Sequence, residues 1–197
     1  MKRESPAAAR NREPIAAVLR EVLPAEGIVL EIASGTGEHS VYFAERFPAL
    51  LWRPSDADPE ALESIEAWVR EAGLLNLLEP VQLDVCEPVW PIGHADAILC
   101  INMVHISPWA ATVELLRGSA WYLDPGAPLI LYGPYRQAGV ATAPSNEAFD
   151  ASLKARDPEW GLRELEAVEA EAGRSGLRLE RVFEMPANNV TAVFRRA

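Results

Sequence analysis

The chain has 197 residues, a length that fits one α/β domain and buries a core without disulfide or metal staples. Its formal net charge of −11 disfavours nucleic acid as a partner, because that affinity rests on cationic contacts to phosphate. No apolar run approaches the ~20 residues of a membrane span, and the opening Met-Lys-Arg-Glu-Ser-Pro lacks the apolar stretch of a signal peptide, so a cytoplasmic location with no membrane partner is the expectation.

The elements follow from periodicity and punctuation. Ile15, Val18, Leu19 and Val22 have helical spacing and predict a helix over 14–23, within an N-terminal segment reaching residue 27. Ile28 to Ile32 reads as a strand, and a helix runs from about Gly37 to Phe47. A second strand over 50–55 leads to Asp56. Asp58 as cap, Pro59 at the first turn and Gly73 as stop frame a helix over 59–72. Short strands are expected at 81–84 and 95–101, the latter apolar throughout and therefore central. A helix over 109–121, a turn at Asp124-Pro125-Gly126 and a strand over 127–132 come next. The segment from Gly133 to Trp160 is rich in proline and glycine, with a helix near 147–156 and no strand. It reads, out to Arg163, as an insertion capping the substrate. A helix over 165–175 and strands over 179–185 and 190–195 close the chain. Pro186 to Asn189 joins these last two strands as an antiparallel hairpin. The whole is one domain, 1–197, with a mostly parallel sheet and helices on both faces. Cys86 and Cys100 lack zinc-site spacing, so no metal is expected; both read as reduced residues at or within buried strands.

The chemistry starts at Glu31-Ile32-Ala33-Ser34-Gly35-Thr36-Gly37, a strand running into a Gly-x-Gly turn before a helix. Such a turn brings backbone close to a nucleotide-type cofactor. A carboxylate at Glu31 repels a pyrophosphate and favours the ammonium and sulfonium of S-adenosylmethionine. Ser40 stands where a dinucleotide fingerprint has its third glycine. Asp56, with Ala57 beside it, lies about 20 residues beyond the glycines, the offset at which a carboxylate accepts ribose hydroxyls. Asp84 and Val85 end the third strand, where they either meet the adenine or merely cap a turn. Asn102 and Met103 end the fourth strand and should face the same crevice. His105 is a candidate general base near neutral pH, or else a packed core histidine.

From Ser5-Pro6-Ala7-Ala8-Ala9-Arg10-Asn11-Arg12-Glu13-Pro14-Ile15 onward, the chain resembles a small family of methyltransferase-like proteins of bacteria and animals, long known only as a domain of unknown function. The likeness runs through Leu30 to His39, Pro54-Ser55-Asp56, Asn102 to Trp109, Tyr132-Gly133-Pro134-Tyr135, Ser145-Asn146, Phe149-Asp150 and Trp160-Gly161-Leu162-Arg163. The resemblance implies a Rossmann-like seven-stranded fold and S-adenosylmethionine binding, and leaves the methyl acceptor open. It also draws Arg10 and Asn11 toward the cofactor. Tyr135, Asn146, Asp150, Trp160 and Arg163 become either substrate-binding residues or anchors of a long loop. Tyr135 is a second candidate base. The Asn102-Met103-Val104-His105 stretch departs from the Asn-Pro-Pro-Tyr type of enzymes that methylate base nitrogens, which favours a small-molecule acceptor. Two rival readings stand beside the methyltransferase: a cofactor- or partner-binding module without turnover, and an NAD(P)-type oxidoreductase.

Overall fold

A computed structural model describes residues 1–197. Its strands are β1 (Gly27–Ile32), β2 (Leu50–Asp56), β3 (Val81–Gln82), β4 (Ala97–Ile101), β5 (Pro128–Gly133), β6 (Tyr135–Arg136), β7 (Arg163–Glu164), β8 (Leu177–Met185) and β9 (Asn189–Arg196). Its helices are α1 (Pro6–Val22), α2 (Glu38–Arg46), α3 (Pro59–Ala72), α4 (Trp109–Tyr122), α5 (Pro144–Arg156) and α6 (Leu165–Arg174). Seven strands form one sheet in the order β3-β2-β1-β4-β5-β9-β8. The first five are parallel, while β9 runs antiparallel to β5 and pairs with β8 as the closing hairpin. This is the mostly parallel Rossmann-like sheet of seven strands that the alternating pattern and the resemblance led us to expect.

Side chains alternate across a strand, so one strand feeds two cores. Leu30, Ile98, Cys100, Leu129 and Leu131 pack on one face with α4 and α6. Val29, Ala97, Leu99, Ile101 and Ile130 pack on the other with α1, α2 and α3. Both faces are dry, which explains why the middle strands read as continuous apolar runs. α3 begins and ends as its punctuation predicts: Asp58 caps the Glu60 amide at 2.9 Å, and Gly73 stops the helix at φ 61°.

Several boundaries differ from the sequence reading, each for a local reason. α1 starts at Pro6, because Ser5 caps the Ala8 amide and Pro6 sits in the first turn. The apolar spacing that predicts a helix over 14–23 marks only the buried second half of α1; the start signal is Ser5-Pro6. Pro14 instead lies inside the helix, where it leaves the Arg10 carbonyl without its helical donor. β3 is only two residues long. Asp84 leaves the ladder to accept the Cys86 amide at 2.9 Å, and this turn puts Cys86 on the surface rather than in a buried strand. Cys100 is buried within β4 as expected, and burial pushes its thiol up to about 12. The insertion does contain strands: β6 pairs with β7 through Tyr135–Arg163 and Arg136–Glu164, at its two ends. No helix is long and apolar enough to cross a membrane.

Candidate functional site

Parallel strands deliver their carboxyl ends to one rim of the sheet, and a crevice opens where the chain crosses from one side of β1 to the other. Here that crevice lies beyond β1, β2 and β4 and is a cleft of about 630 Å³. Glu31, Ala33, Ser34, Gly35, Asp56, Ala57, Asp84, Val85, Asn102 and Met103 all line it. So do His39 and, from the N-terminus, Ser5, Ala7 and Ala8. No lysine or arginine does.

Glu31 is fully buried at the end of β1. Its Oε2 accepts the Trp52 indole N–H at 2.6 Å and the Ser40 hydroxyl at 2.9 Å. Burial pushes its carboxyl up to about 7, against the pull of these donors. None of the chain's ion pairs supplies it with a cation. A buried carboxylate with hydrogen bonds but no positive partner, at the wall of an open cleft, is electrostatically unfinished.

The turn is fixed from across the sheet. Asp56 Oδ2 accepts the Gly35 amide at 2.9 Å, and its Oδ1 accepts the Asp58 amide at 3.0 Å. Ser55 Oγ donates to the Glu31 carbonyl at 2.8 Å. The two glycines have different tasks. A Cβ on Gly35 would meet nothing, and this residue lines the cleft. A Cβ on Gly37 would come within 2.9 Å of the Ile65 backbone, so Gly37 is small because α3 packs on it, and it does not line the cleft.

Only four non-glycine residues have positive φ: Ala33 (55°), Asn102 (61°), Ala187 (58°) and Asn188 (57°). Left-handed backbone outside glycine is costly, and it concentrates at sites the fold holds in place. Ala33 and Asn102 line the cleft; Ala187 lines a smaller cavity beside it. That cavity, about 270 Å³, opens between α1 and the β8–β9 linker and shares Ala7 and Asn102 with the cleft. Asn11 faces this side cavity, and its Oδ1 is 2.8 Å from His39 Nε2. Burial, with Arg12 nearby, lowers His39 to about 4, so the ring is neutral and Asn11 Oδ1 accepts its N–H.

The two candidate bases lie outside the cleft wall. His105 is buried against Gly133 and edge-on to Phe149, with ring centroids 5.6 Å apart. Burial and Arg163 lower its imidazole to about 4. Tyr135 is buried in the core under α4 and α6, and burial raises its phenol far above the usual range.

The four remaining insertion residues are likewise outside the cleft wall, engaged in holding the insertion together. Asp150 is a hub that accepts the Leu162 amide at 2.8 Å, Lys154 at 2.6 Å and Arg136 at 3.2 Å. Although burial opposes it, these donors hold its carboxyl below the usual value. Asn146 donates to the Asn188 carbonyl at 2.9 Å. Trp160 lies under the Arg156 guanidinium. Arg163 donates to the Ser107 and Glu159 carbonyls, each at 2.7 Å, and so clamps the loop after β4 from behind.

The sequence reading missed Ser5, Ala7, Ala8 and His39 as cleft residues. A strap built by backbone bonds explains the first three: the Arg3 amide donates to Ser64 Oγ at 2.8 Å, the Arg3 carbonyl accepts Trp68 Nε1 at 2.8 Å, and the Ser5 amide donates to Glu38. At the opposite rim, ligand atoms of His94, Asp96 and Asp124 lie within 4.8 Å of one another, but Asp96 Oδ2 already accepts the Ile28 amide.

The same fold occurs in known methyltransferase structures. The mitomycin 7-O-methyltransferase MmcR superposes with a TM-score of 0.83 at 21% identity, covering 97% of this chain and 54% of that one. The S-adenosylmethionine-dependent methyltransferase SibL gives 0.79 at 19%, covering 96% and 55%. A putative sarcosine dimethylglycine methyltransferase from Galdieria sulphuraria gives 0.78 at 15%, covering 97% and 87%. The chain thus spans little more than half the length of the first two, and the likeness is one of fold. Residues 2–196 match one family over almost the full length, and the chain belongs to that family, described as a protein of unknown function (DUF938).

Proposed function

We propose that this protein is an S-adenosylmethionine-dependent methyltransferase acting on a small molecule. The observation that carries the reading is the charge of the cleft: Glu31, Asp56 and Asp84 line it and no cation does. A pyrophosphate would meet that wall unfavourably, while a ligand with an ammonium and a sulfonium completes it. The fold shared with S-adenosylmethionine-dependent enzymes supports the same choice.

In this reading Glu31 and the backbone of Ala33 to Gly35 hold the methionine end, Asp56 the ribose, and Asp84 with Val85 the adenine. Ala57 and Met103 add apolar wall. Bound S-adenosylmethionine supplies an electrophilic methyl group. The protein's part is to align an acceptor beside Asn102 and to exclude water beneath the strap of Ser5, Ala7 and Ala8. His105 and Tyr135 position the wall from behind, and an acceptor that arrives deprotonated needs no base.

Isothermal titration with S-adenosylmethionine, S-adenosylhomocysteine and NADH tests this. Saturable binding of the first two, with none of NADH, is the expected result. Binding of NADH alone would overturn the assignment.

A further inference from the structure

We infer that the side cavity next to the cleft is a binding site for a small molecule carrying a carboxylate, with Arg10 as its anchor. The inference rests on the methyltransferase reading, since it assigns this cavity to the methyl acceptor. Its polar wall is Arg10, Asn11, Asn102, Tyr132 and Asn189. The chain has 29 acidic residues, yet none lines this cavity. Arg10 is exposed and belongs to none of the chain's ion pairs, although most of its arginines are paired or hydrogen-bonded. One cation among amides and a phenol fits a single carboxylate better than a phosphate, which asks for more positive charge.

Two further observations point to a ligand. Asn102 and Ala187 both line this cavity in left-handed backbone, a cost the packing sustains at two places around the same space. Asn102 also belongs to the cofactor cleft, whereas Arg10 does not. A molecule anchored at Arg10 therefore extends toward the one junction between the two spaces. Asn11 ties this wall to the cleft, because its Oδ1 lies 2.8 Å from Nε2 of the cleft residue His39, and the Tyr132 phenol lines the same cavity. Burial raises that phenol, so Tyr132 stays protonated and can donate to an anion.

The test is amide NMR of the full chain saturated with S-adenosylhomocysteine, titrated with benzoate and with its neutral counterpart benzamide. Benzoate should shift the Asn102 and Asn189 side-chain amides and bind about tenfold more tightly than benzamide, the contribution of one charge-assisted bond. Arg10→Gln should erase that preference and leave S-adenosylhomocysteine affinity unchanged. Equal binding of both probes, no benzoate shift at these amides, or an undiminished preference in Arg10→Gln would overturn the inference alone. Failure of S-adenosylhomocysteine to shift the Glu31 to Thr36 amides would instead remove the methyltransferase reading beneath it.

Discussion

Glu31 Oε2 receives the indole N–H of Trp52 at 2.6 Å, joining the end of β1 to the middle of β2 beneath the cleft. Trp52 is itself locked by Phe43 and Phe47, at ring-centroid distances of 5.3 and 6.2 Å. The carboxylate cannot turn away from the cleft without abandoning this donor. Trp52→Phe removes it while keeping most of the packing. We expect a loss of about 1–3 kcal/mol, read by urea unfolding at pH 8, where Glu31 is charged.

The titration of Glu31 has a definite sign. Its folded value, about 7, lies above its ordinary 4.5, so the folded state holds the proton more tightly. The resulting stability is full below 4.5 and is lost as pH rises through 7. His39 and His105 act oppositely. Their folded values of about 4 make stability full above 6.5 and progressively lost as pH falls toward 4. Two histidines outweigh one carboxyl, so stability should rise from pH 4.5 to 6.5. Glu31→Gln should steepen that rise and raise stability at pH 8 by an amount on the order of 3 kcal/mol. A flat or falling profile in the wild type, from denaturant melts, would contradict the assignment.

Ligand affinity should move the other way. A cationic group beside Glu31 favours the carboxylate, so S-adenosylhomocysteine should bind more tightly as pH rises from 6 to 8. In Glu31→Gln this pH dependence should vanish along with most of the affinity.

Asp56 serves the turn and, in the proposed function, the ribose. Asp56→Ala leaves the Gly35 amide without its acceptor. S-adenosylhomocysteine affinity should fall at least about tenfold while the circular dichroism spectrum is retained. Unchanged affinity would remove Asp56 from the site.

The two glycines of the turn should separate cleanly in thermal melts. Gly35→Ala places a Cβ in open space and costs only its left-handed backbone, about 1 kcal/mol. Gly37→Ala has φ 94° and also drives a Cβ into the Ile65 backbone. Its loss in melting temperature should be at least twice as large, at roughly 2–4 °C per kcal/mol for a chain of this size.

Asp150 offers the last test. Its folded carboxyl lies below its ordinary value, so its contribution is present above pH 3.8 and is lost as pH falls through the folded value. Asp150→Asn should speed proteolysis within 133–163 at neutral pH and leave S-adenosylhomocysteine binding intact. Equal protease resistance would show that Lys154, Arg136 and the Leu162 amide do not depend on its charge.

The fold was legible because its signals are local. The apolar runs of β1 and β4, the framing of α3 by Asp58 and Gly73, and the closing hairpin all lie within short windows. Around the cleft, Glu31, Asp56, Asp84 and Asn102 were findable because strand ends in a parallel sheet must share one rim. The insertion was not legible in this way. Asp150 and Arg163 look like ligand-binding residues in sequence, but Arg163 spends its guanidinium on the Ser107 and Glu159 carbonyls, and Asp150 adds the Leu162 amide to Lys154 and Arg136; no side-chain pattern announces the backbone partners. The strap was hidden for the same reason, since Arg3 and Ser5 act through their amides.

That strap has a practical consequence. β9 pairs Arg195 with Pro128, so the carboxyl end of the chain leaves at the rim away from the cleft, while Met1 lies against Glu63 on α3, next to the strap. An affinity tag fused ahead of Met1 would sit beside the Ser5, Ala7 and Ala8 strap at the cleft wall. A tag after Ala197 would not, and ligand-binding measurements are best begun with the handle at that end.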